Sequence, residues 1–374
     1  MTRFELPTVN DLHTLGTPHE HAITIYAQTS PAPDAREISV LNAKSAFDRA
    51  IRTLRDNGIR HGTEQALRDR WEAVRTDEAW ARLSRSLAIF IADDLTEVFV
   101  LPNELENQLQ VGTYFDLGQL VRAVTTPQSA YALTLSSNGW NLWEATATTV
   151  AVEMTLTGDH AVDVADATNR ATIRDRGHVR RLVGDEGRKV LLDTYAKRVA
   201  EAVKAELGQL DPNAERPLFL FATDPLLDLY VDAESTRRVI KVPGAPDELR
   251  PDQIDAAIRR NLASLNAEHN TALVAQIANG TAQGLVATDL GDIGRAAAAG
   301  AVDTLVYDFT VDVLGTMDDD SGAITRDDAG YDLLSRIALA VLDKGGDAVA
   351  VRTDEITSPA WNGTAIARLR FPLT

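Results

Sequence analysis

Residues 217–222 read Pro-Leu-Phe-Leu-Phe-Ala, an unbroken apolar run that predicts a β-strand buried on both faces. The preceding residues 190–207 have the apolar spacing of a helix. Further upstream, apolar residues 130–135 and 140–144 flank Ser-Ser-Asn-Gly, and Asn-Gly is typical of a β-hairpin turn. Residues 147–156 predict a third strand. Strands followed by a helix and a buried strand indicate a mixed α/β domain.

A separate pattern precedes this domain. Residues 22–27 alternate as a strand, and residues 43–56 and 63–76 have helical spacing. Residues 87–92 and 97–101 are apolar runs joined by a short polar turn, which predicts a hairpin. The first part of the chain is therefore expected to be an α/β domain, which the family resemblance described below implies to be variable.

Pro243, Pro246 and Pro251 mark a boundary after the middle domain. Residues 251–277 then predict one long helix, and the remaining segments follow in the order helix, strand, helix, strand, strand. That order predicts a three-layer α/β domain. We therefore expect an α/β protein of three domains, at residues 1–127, 128–246 and 247–374.

Composition limits the class of protein. The 374 residues contain no cysteine, which excludes disulfides and thiolate metal sites. We find no secretory signal at the N-terminus and no apolar run of membrane-spanning length, so we expect a soluble, cytoplasmic protein. A net charge of −18 disfavours general binding to nucleic acid.

One segment is basic, although the chain as a whole is acidic. Residues 170–189 hold seven Lys or Arg against three acidic residues, a net charge of +4, and Gly177, Gly184 and Gly187 indicate a loop. Arginine binds phosphates in bidentate geometry, so this segment is a candidate for contact with the phosphates of an RNA. The alternative is a loop whose cations pair with acidic groups elsewhere in the chain. The candidate contact residues are Arg170, Arg174, Arg176, His178, Arg180, Arg181, Arg188 and Lys189.

Three groups of motifs together resemble the bacterial archaeo-eukaryotic release factor family, relatives of eukaryotic release factor one and pelota. The first group is residues 86–90, 97–102 and 111–117; the second is 131–136 and 139–143; the third is 300–306, 344–351 and 363–371. The resemblance covers residues 86–374. It implies a middle domain with a ribonuclease-H-like mixed sheet, a C-terminal domain like ribosomal protein L7Ae, and a role at the ribosome in rescue, hibernation or stress response.

Classical members of this superfamily release peptides with a Gly-Gly-Gln loop, and this sequence contains none. Its Gly345-Gly346 pair precedes Asp347 and predicts a tight turn. The basic segment lies where the resemblance places the catalytic loop. With the role at the ribosome that the resemblance implies, the expected contact of this segment is ribosomal RNA or a tRNA end. We therefore expect a non-catalytic factor, with no cofactor and no metal.

Two other motifs favour structural roles. His19-Glu20-His21 has no third ligand close in sequence, which a catalytic zinc requires, so an exposed loop is favoured. Asp318-Asp319-Asp320-Ser321-Gly322 resembles half of a calcium loop, but Ala329 stands where the bidentate glutamate is needed. A solvated acidic turn is the better interpretation.

Two alternative functions stay open. The first is a hydrolase acting on peptidyl-tRNA or nucleic acid through the middle domain, where Asp163, Asp166, Asp193 and Asp224 supply carboxylates for metal ions. The second is an adaptor that binds a protein partner through the acidic C-terminal domain, since residues 250–374 carry a net charge of −8. Neither alternative calls for a membrane.

Overall fold

The computed structural model describes residues 2–30, 36–147, 149–157, 161–167 and 185–372. By packing, the chain divides into two compact units. Residues 128–263 form one of them, called the middle unit. Residues 1–127 and 264–374 together form the other, called the split unit. The three-domain division at residues 127 and 246 stays a prediction.

The middle unit is built on a five-stranded mixed sheet. Its strands are β6 (Ala130–Ser136), β7 (Gly139–Ala145), β8 (Val152–Glu153), β9 (Leu218–Ala222) and β10 (Val239–Pro243). Its helices are α5 (Val164–Ala167), α6 (Asp185–Leu210), α7 (Leu226–Ala233), a 3-10 turn (Pro246–Glu248) and the first part of α8 (Pro251–Ala278).

The strand order in this sheet is β10-β9-β6-β7-β8. The strands β6, β7 and β8 are antiparallel neighbours, whereas β9 and β10 run parallel to β6. Three antiparallel strands followed by two parallel ones form the ribonuclease-H-like mixed sheet predicted from the sequence. Residues 218–222 are buried throughout, as expected for the central strand β9.

The predicted third strand, residues 147–156, is wrong in extent, because β8 covers only Val152–Glu153. The chain before β8 is held by α8 instead of by a strand. Arg259 donates to the carbonyl oxygens of Thr146 and Thr149, at 2.8 and 2.7 Å, and Asp255 accepts from the amide of Ala151.

The split unit contains the remaining elements, and its N-terminal part comes first. These elements are β1 (Thr2–Arg3), α1 (Val9–Leu15), β2 (Ala22–Gln28), α2 (Arg36–Asp56), α3 (His61–Arg75), a 3-10 turn (Glu78–Ala81), β3 (Ser86–Ala92), β4 (Thr96–Leu101), β5 (Gln108–Gly112) and α4 (Gly118–Thr125). The predicted hairpin is confirmed as β3 and β4, whereas α2 begins seven residues before the predicted Ala43.

The C-terminal part of the split unit follows α8. Its elements are a 3-10 turn (Thr281–Gln283), β11 (Val286–Ala287), α9 (Leu290–Ala298), β12 (Val302–Asp308), β13 (Leu314–Met317), β14 (Ile324–Arg326), β15 (Tyr331–Asp332), α10 (Leu333–Asp343), β16 (Asp347–Val351), a 3-10 turn (Thr353–Glu355) and β17 (Ala365–Leu369).

A sheet of order β11-β17-β12-β16 lies between helices in this part. Along β12, Val306 joins a cluster with Val274 and Ile277 of α8. The neighbouring Leu305 and Tyr307 point to the opposite face and join the cluster that includes α9 and α10. The three-layer α/β arrangement is therefore confirmed, because side chains alternate across a strand. A smaller sheet, β14-β13-β15, adds to this part.

The two parts of the split unit share one hydrophobic cluster. The N-terminal sheet, of order β1-β4-β3-β2-β5, buries one face under α2 and α3. Its other face places Tyr26, Phe90 and Phe99 in the cluster that also contains Leu305 and Ile337. Neither the N-terminal part nor the C-terminal part of the split unit forms this cluster from its own residues alone.

Buried polar groups reinforce this junction within the split unit. The hydroxyl of Tyr307 donates to the carbonyl oxygen of Gly118 at 2.9 Å, and the amide of Leu117 donates to Oγ of Ser335 at 2.7 Å. The carboxyl of Asp116 accepts from the amide of Gly118, while Asp332 caps α10 by accepting from the amide of Ser335. All of these groups are buried and hydrogen-bonded, as stable interiors require.

Two turn predictions concern the C-terminal part. Asp318 accepts from the amide and hydroxyl of Ser321 at 2.8 and 2.6 Å, which closes the acidic turn between β13 and β14. Gly345 has φ of +72°, so the Gly-Gly pair forms the predicted tight turn between α10 and β16. Within the described residues, no helix is both long enough and apolar enough to span a membrane.

Candidate functional site

Of the basic segment, residues 170–189, the structure describes only residues 185–189. Arg170, Arg174, Arg176, His178, Arg180 and Arg181 lie outside the described residues. Arg188 and Lys189 lie near the start of α6, and both are exposed. Among the side chains that the structure describes, which do not include those of Asp185 and Glu186, neither cation has an ion-pair partner.

The helices on either side of the segment are firmly anchored in the middle unit. Ala167, the last residue of α5, is fully buried. The carboxylate of Asp163 accepts from the amide of Asp166 at 2.8 Å and so caps this short helix. On α6, Tyr195, Val199 and Val203 pack against the sheet. The described chain therefore enters and leaves the basic segment from fixed positions.

The exposed side of α6 carries further charges. Lys197, Arg198 and Lys204 are exposed, but Lys197 pairs with Asp193 at 2.8 Å and Glu201 is also exposed. This face has mixed charge, like most solvated helices. From residue 190 onward, α6 therefore has no excess of positive charge, because its three cations are matched by Asp193, Glu201 and Glu206.

A pocket of about 400 Å³ lies beside the β6–β7 hairpin, also in the middle unit. Strand residues of the hairpin form one wall, and the chain between β10 and α8 forms the other. It is lined by Thr134, Asn138, Gly139, Asn141, Trp143, Pro246, Asp247, Leu249 and Ile254. Hydrogen bonds fix its walls: Trp143 donates from Nε1 to Thr134, Asn138 donates to Asp247 at 3.1 Å, and Asn141 donates to Glu153.

A second pocket of about 370 Å³ shares Gly139 and Asn141 with the first. Trp140, Leu156, Ala161 and Val162 complete its lining. The indole of Trp140 donates to the carbonyl oxygen of Ala161 at 2.7 Å. Val162 lies five positions before Ala167, so this pocket is close in sequence to the chain that leads into the basic segment.

Tyr195 is fully buried, and its hydroxyl has no hydrogen-bond partner among the described residues. Burial raises the pKa of Tyr195, and the carboxylates of Asp163 and Asp247 raise it further. Since Asp247 lines the first pocket, this neutral hydroxyl is near the pocket but does not form part of its lining. A neutral phenol with a raised pKa is a poor general base.

The carboxylates suggested for a hydrolase serve other interactions. Asp163 and Asp166 stabilise the start of α5, and Asp193 pairs with Lys197. Asp224 is exposed between β9 and α7. Among the described residues, no three His, Asp or Glu side chains are grouped so that they could hold a metal ion.

The histidine motif near the N-terminus lies in the loop between α1 and β2, as predicted, and Glu20 is exposed, but His19 is not. The side chain of His19 is only 6% exposed, and its ring lies 4.9 Å from that of Phe115. Its Nδ1 is 2.9 Å from the carboxylate of Asp94. A tilted ring contact with Phe115 and a hydrogen bond to the β3–β4 turn accompany the burial of this histidine, and neither interaction could be read from three consecutive residues.

The arginines of α2 and α3 behave largely as a solvated face, with three exceptions. Arg55 and Arg68 both donate to the buried carboxylate of Glu64, and these hydrogen bonds lower the pKa of Glu64 to about 2. Arg70 donates to the carbonyl oxygen of Asp93. These cations stabilise the N-terminal part.

Sequence reasoning missed the hairpin pocket. The motif Asn138-Gly139 indicated a turn but carried no sign of a cavity. The opposite wall, residues 246–254, lies more than 100 positions away. Only the parallel arrangement of β6, β9 and β10 brings the two walls together.

Residues 127–268 match the model of a family described as Bacterial archaeo-eukaryotic release factor family 11. The resemblance predicted from the sequence is therefore confirmed for this part of the chain. Among curated proteins, none matches the chain.

Several solved structures are similar to this chain at low identity. Pelota from Archaeoglobus fulgidus is 15% identical with a TM-score of 0.37, over 78% of this chain and 82% of pelota. Dom34 from S. cerevisiae, a translation termination-like factor, is 13% identical with a TM-score of 0.34, over 65% of this chain and 63% of Dom34, less than two thirds of that protein. The archaeal termination factor aRF1 is 14% identical with a TM-score of 0.24, over 98% and 99% of the two chains.

Proposed function

We propose that this chain, whose residues 127–268 match the release factor family model, acts in the cytoplasm as a non-catalytic, ribosome-associated translation factor in ribosome rescue, hibernation or stress response. Its partner would be ribosomal RNA or tRNA on the ribosome. The acidic C-terminal part would repel RNA and is better suited to a protein partner.

The observation that carries this proposal is the basic segment, residues 170–189. It lies inside the region that matches the family, and its net charge of +4 contrasts with −18 for the whole chain. A local excess of positive charge on an acidic protein confines RNA contact to one surface, because exposed charges farther away than about 10 Å are screened by salt.

The proposal of a non-catalytic role is supported by two observations. The sequence has no Gly-Gly-Gln, and its Gly-Gly pair forms a turn between α10 and β16. The four carboxylates considered for a hydrolase cap α5, pair with a lysine or face solvent. A hydrolase is therefore the less favoured function.

The test is ribosome co-sedimentation of the full chain, from growing and from stationary cells. Changing Arg174, Arg176, Arg180 and Arg181 to alanine removes four positive charges from the segment. We expect this variant to lose ribosome binding by about tenfold or more, and the wild-type complex to weaken as salt rises.

The matched control removes the same number of charges from another surface. Arg36, Arg49, Arg52 and Arg60 are exposed on or beside α2 and α3 in the split unit. Changing these four to alanine should leave co-sedimentation close to wild type. Equal binding by both variants, or equal loss in both, would contradict a role for the basic segment.

A further inference from the structure

The segment at the outer edge of the middle sheet has the sequence of a longer strand than the one it forms. Residues 149–157 read Thr-Val-Ala-Val-Glu-Met-Thr-Leu-Thr, and five of these nine residues are β-branched. Residues of this type favour strands, because they fit a pleated surface. Only Val152–Glu153 pair with β7, as the strand β8. The segment therefore has a strand propensity that its own sheet does not use.

The backbone of this segment presents hydrogen-bonding groups away from the sheet. The amide of Met154 donates to the carbonyl oxygen of Leu142 on β7 at 2.8 Å. Because successive residues of a strand direct their backbone groups to opposite sides, those of Glu153 and Thr155 point outward. No strand follows β8 in the sheet, and among the described residues these two amides have no hydrogen-bond acceptor. This edge can therefore pair with another strand.

The open part of the edge is short. The amide of Ala151 donates to Asp255 of α8 at 2.9 Å, and the amide of Thr157 donates to Glu206 of α6 at 3.2 Å. Both amides belong to the same outward row, so residues 152–156 stay open between them. Each of the two outward residues in this interval offers one backbone donor and one acceptor.

Two exposed valines lie beside this edge. Val150 and Val152 are 63% and 56% exposed, and their side chains share one face because side chains alternate along a strand. The next residues on that face, Met154 and Leu156, pack against the cluster between the sheet and α6. An added strand would cover the two valines, and apolar side chains on it would be favoured there.

The charge around the edge selects the kind of occupant. Residues 127–169 include five acidic residues and no lysine or arginine. Glu153 lies on the strand itself, and Glu206 is hydrogen-bonded to the end of the segment. Arg259, which contacts the chain before β8, is paired with Asp255. A positively charged peptide is therefore attracted to this edge, and a negatively charged one is repelled.

We propose that the open edge of β8 is a docking site for an extended, positively charged stretch of a partner protein, which pairs with residues 152–156 as a sixth strand. Its lysine or arginine side chains lie beside Glu153, and its alternate, apolar side chains cover Val150 and Val152. The proposal does not depend on the proposed contact between the basic segment and RNA.

The experiment is fluorescence anisotropy of the full chain with a labelled peptide of four Arg-Val repeats, in about 0.15 M salt, which screens distant charges. We expect binding at millimolar concentration or below. The control peptide has the same sequence with every backbone amide N-methylated, so it keeps the charges but cannot donate hydrogen bonds to a strand edge. Equal binding of the two peptides would mean attraction by charge alone and would overturn the proposal.

A proline at the edge tests the location. Thr155 is exposed and its amide points outward, so Thr155→Pro removes an edge donor but no hydrogen bond to β7. We expect this variant to bind the peptide about tenfold more weakly or worse. Thr155→Val, which keeps the amide, should bind like the wild type. Glu153→Gln removes the charge but can still accept from Asn141, and should weaken binding by about two- to fivefold.

A second variant covers the case in which Thr155→Pro does not fold. Val152→Lys places a repelling charge at the edge and should give a similar loss. The matched control is Val190→Lys, at an equally exposed valine on α6, which should leave binding unchanged. Unchanged binding in the folded edge variants, or no binding of the peptide to the wild type at millimolar concentration, overturns the proposal.

Two further outcomes would replace the partner protein by another occupant. Dimerisation of the wild type that Thr155→Pro abolishes, without peptide binding, would assign the edge to a second copy of the chain. The chain's own basic segment would be the occupant if the peptide binds only after four arginines are changed to alanine, namely Arg174, Arg176, Arg180 and Arg181. Either outcome overturns the proposal.

Discussion

Two buried carboxyl groups, Asp116 and Asp332, lie in the junction between the two parts of the split unit. Burial raises the pKa of Asp116 to about 6, although the amide of Gly118 donates to this carboxyl. Burial also raises the pKa of Asp332 well above its ordinary value, and the charge of Asp116 adds to the shift. Desolvation explains both directions, because it disfavours the charged form of an acid.

Asp116 should make stability depend on pH. Since the folded-state pKa is raised, the folded chain holds a proton that the unfolded chain has already released between about pH 4 and pH 6. Stability therefore falls as pH rises through this window, by about 3 kcal/mol for a shift of this size. In Asp116→Asn, the fall in unfolding free energy between pH 4 and pH 7, measured by urea denaturation, should be clearly smaller.

The control for this measurement is Asp347→Asn, an exposed carboxylate on β16. Its pH profile should follow that of the wild type. An Asp116→Asn profile as steep as the wild-type profile would show that Asp116 is not the group that titrates.

A second residue-scale prediction concerns the ion pair between Asp211 and Arg237 in the middle unit. The two side chains are only 7% and 6% exposed. Arg237 also donates to the carbonyl oxygens of Arg216 and Asp211, and Asp211 accepts from the amides of Glu215 and Arg216. Asp211→Ala leaves a buried guanidinium without its partner and should cost about 3–5 kcal/mol of unfolding free energy.

The comparison is Asp228→Ala, which removes the partner of Lys241 in an exposed pair. Surface pairs contribute about 0–1 kcal/mol, so this change should be nearly neutral. Thermal or urea unfolding of the two variants measures the difference. Equal effects would mean that burial does not determine the strength of these pairs.

At the scale of elements, the sequence predicted the helices and strands that have a recognisable pattern within a short stretch of residues. The hairpin β6–β7, the buried strand β9 and the long helix α8 follow from a turn dipeptide, an apolar run and helical spacing. Strands of two to four residues, such as β13–β15, are too short to show a period. The start of α2 was also missed, because Ile38 and Leu41 are 62% and 63% exposed and do not mark a buried face.

The candidate site likewise has one part that the sequence predicts and one part that it does not. The basic segment could be read from charge alone, since it is one continuous stretch of sequence. The pocket could not, because residues 134–143 meet residues 246–254 only in the folded sheet.

The turn between α10 and β16 gives an element-scale prediction. A Cβ on Gly346 would lie 2.7 Å from the carbonyl oxygen of Val302 and 2.7 Å from a methyl group of Val341. Gly346→Ala should therefore cost about 1–3 kcal/mol through overpacking. Gly208→Ala, in open space on α6, should instead stabilise by up to about 1 kcal/mol, because alanine is the better helix former. Urea unfolding distinguishes the two; a neutral Gly346→Ala would mean that the turn can move.

At the scale of the molecule, the middle unit is an insertion between two parts that share a core. The side-chain amide of Asn266 donates to the carbonyl oxygen of Pro127 at 3.1 Å, so the split unit brings the two ends of the insertion close together. Among the described residues, the cluster that packs one face of the middle sheet against α6 and α7 contains only residues of the middle unit.

This arrangement predicts which fragments fold. Residues 1–127 joined to 264–374 by a short Gly/Ser linker should unfold cooperatively, because the shared cluster is complete and the linker has little distance to span. Residues 1–127 alone should bind a hydrophobic dye and unfold without a sharp transition. Circular dichroism and dye fluorescence test both fragments. Cooperative unfolding of residues 1–127 alone would contradict the need for the shared cluster.

The shared cluster also sets an order of events during synthesis. In the middle unit, the cluster against α6 and α7 is built from residues 131–239, whereas the first sheet waits for the last part of the chain to cover one of its faces. Synthesis of residues 128–374 takes on the order of 10–50 seconds at typical translation rates. During that interval Phe90 and Phe99 remain without their final neighbours, so the newborn chain should depend on chaperones most strongly before its last residues are made.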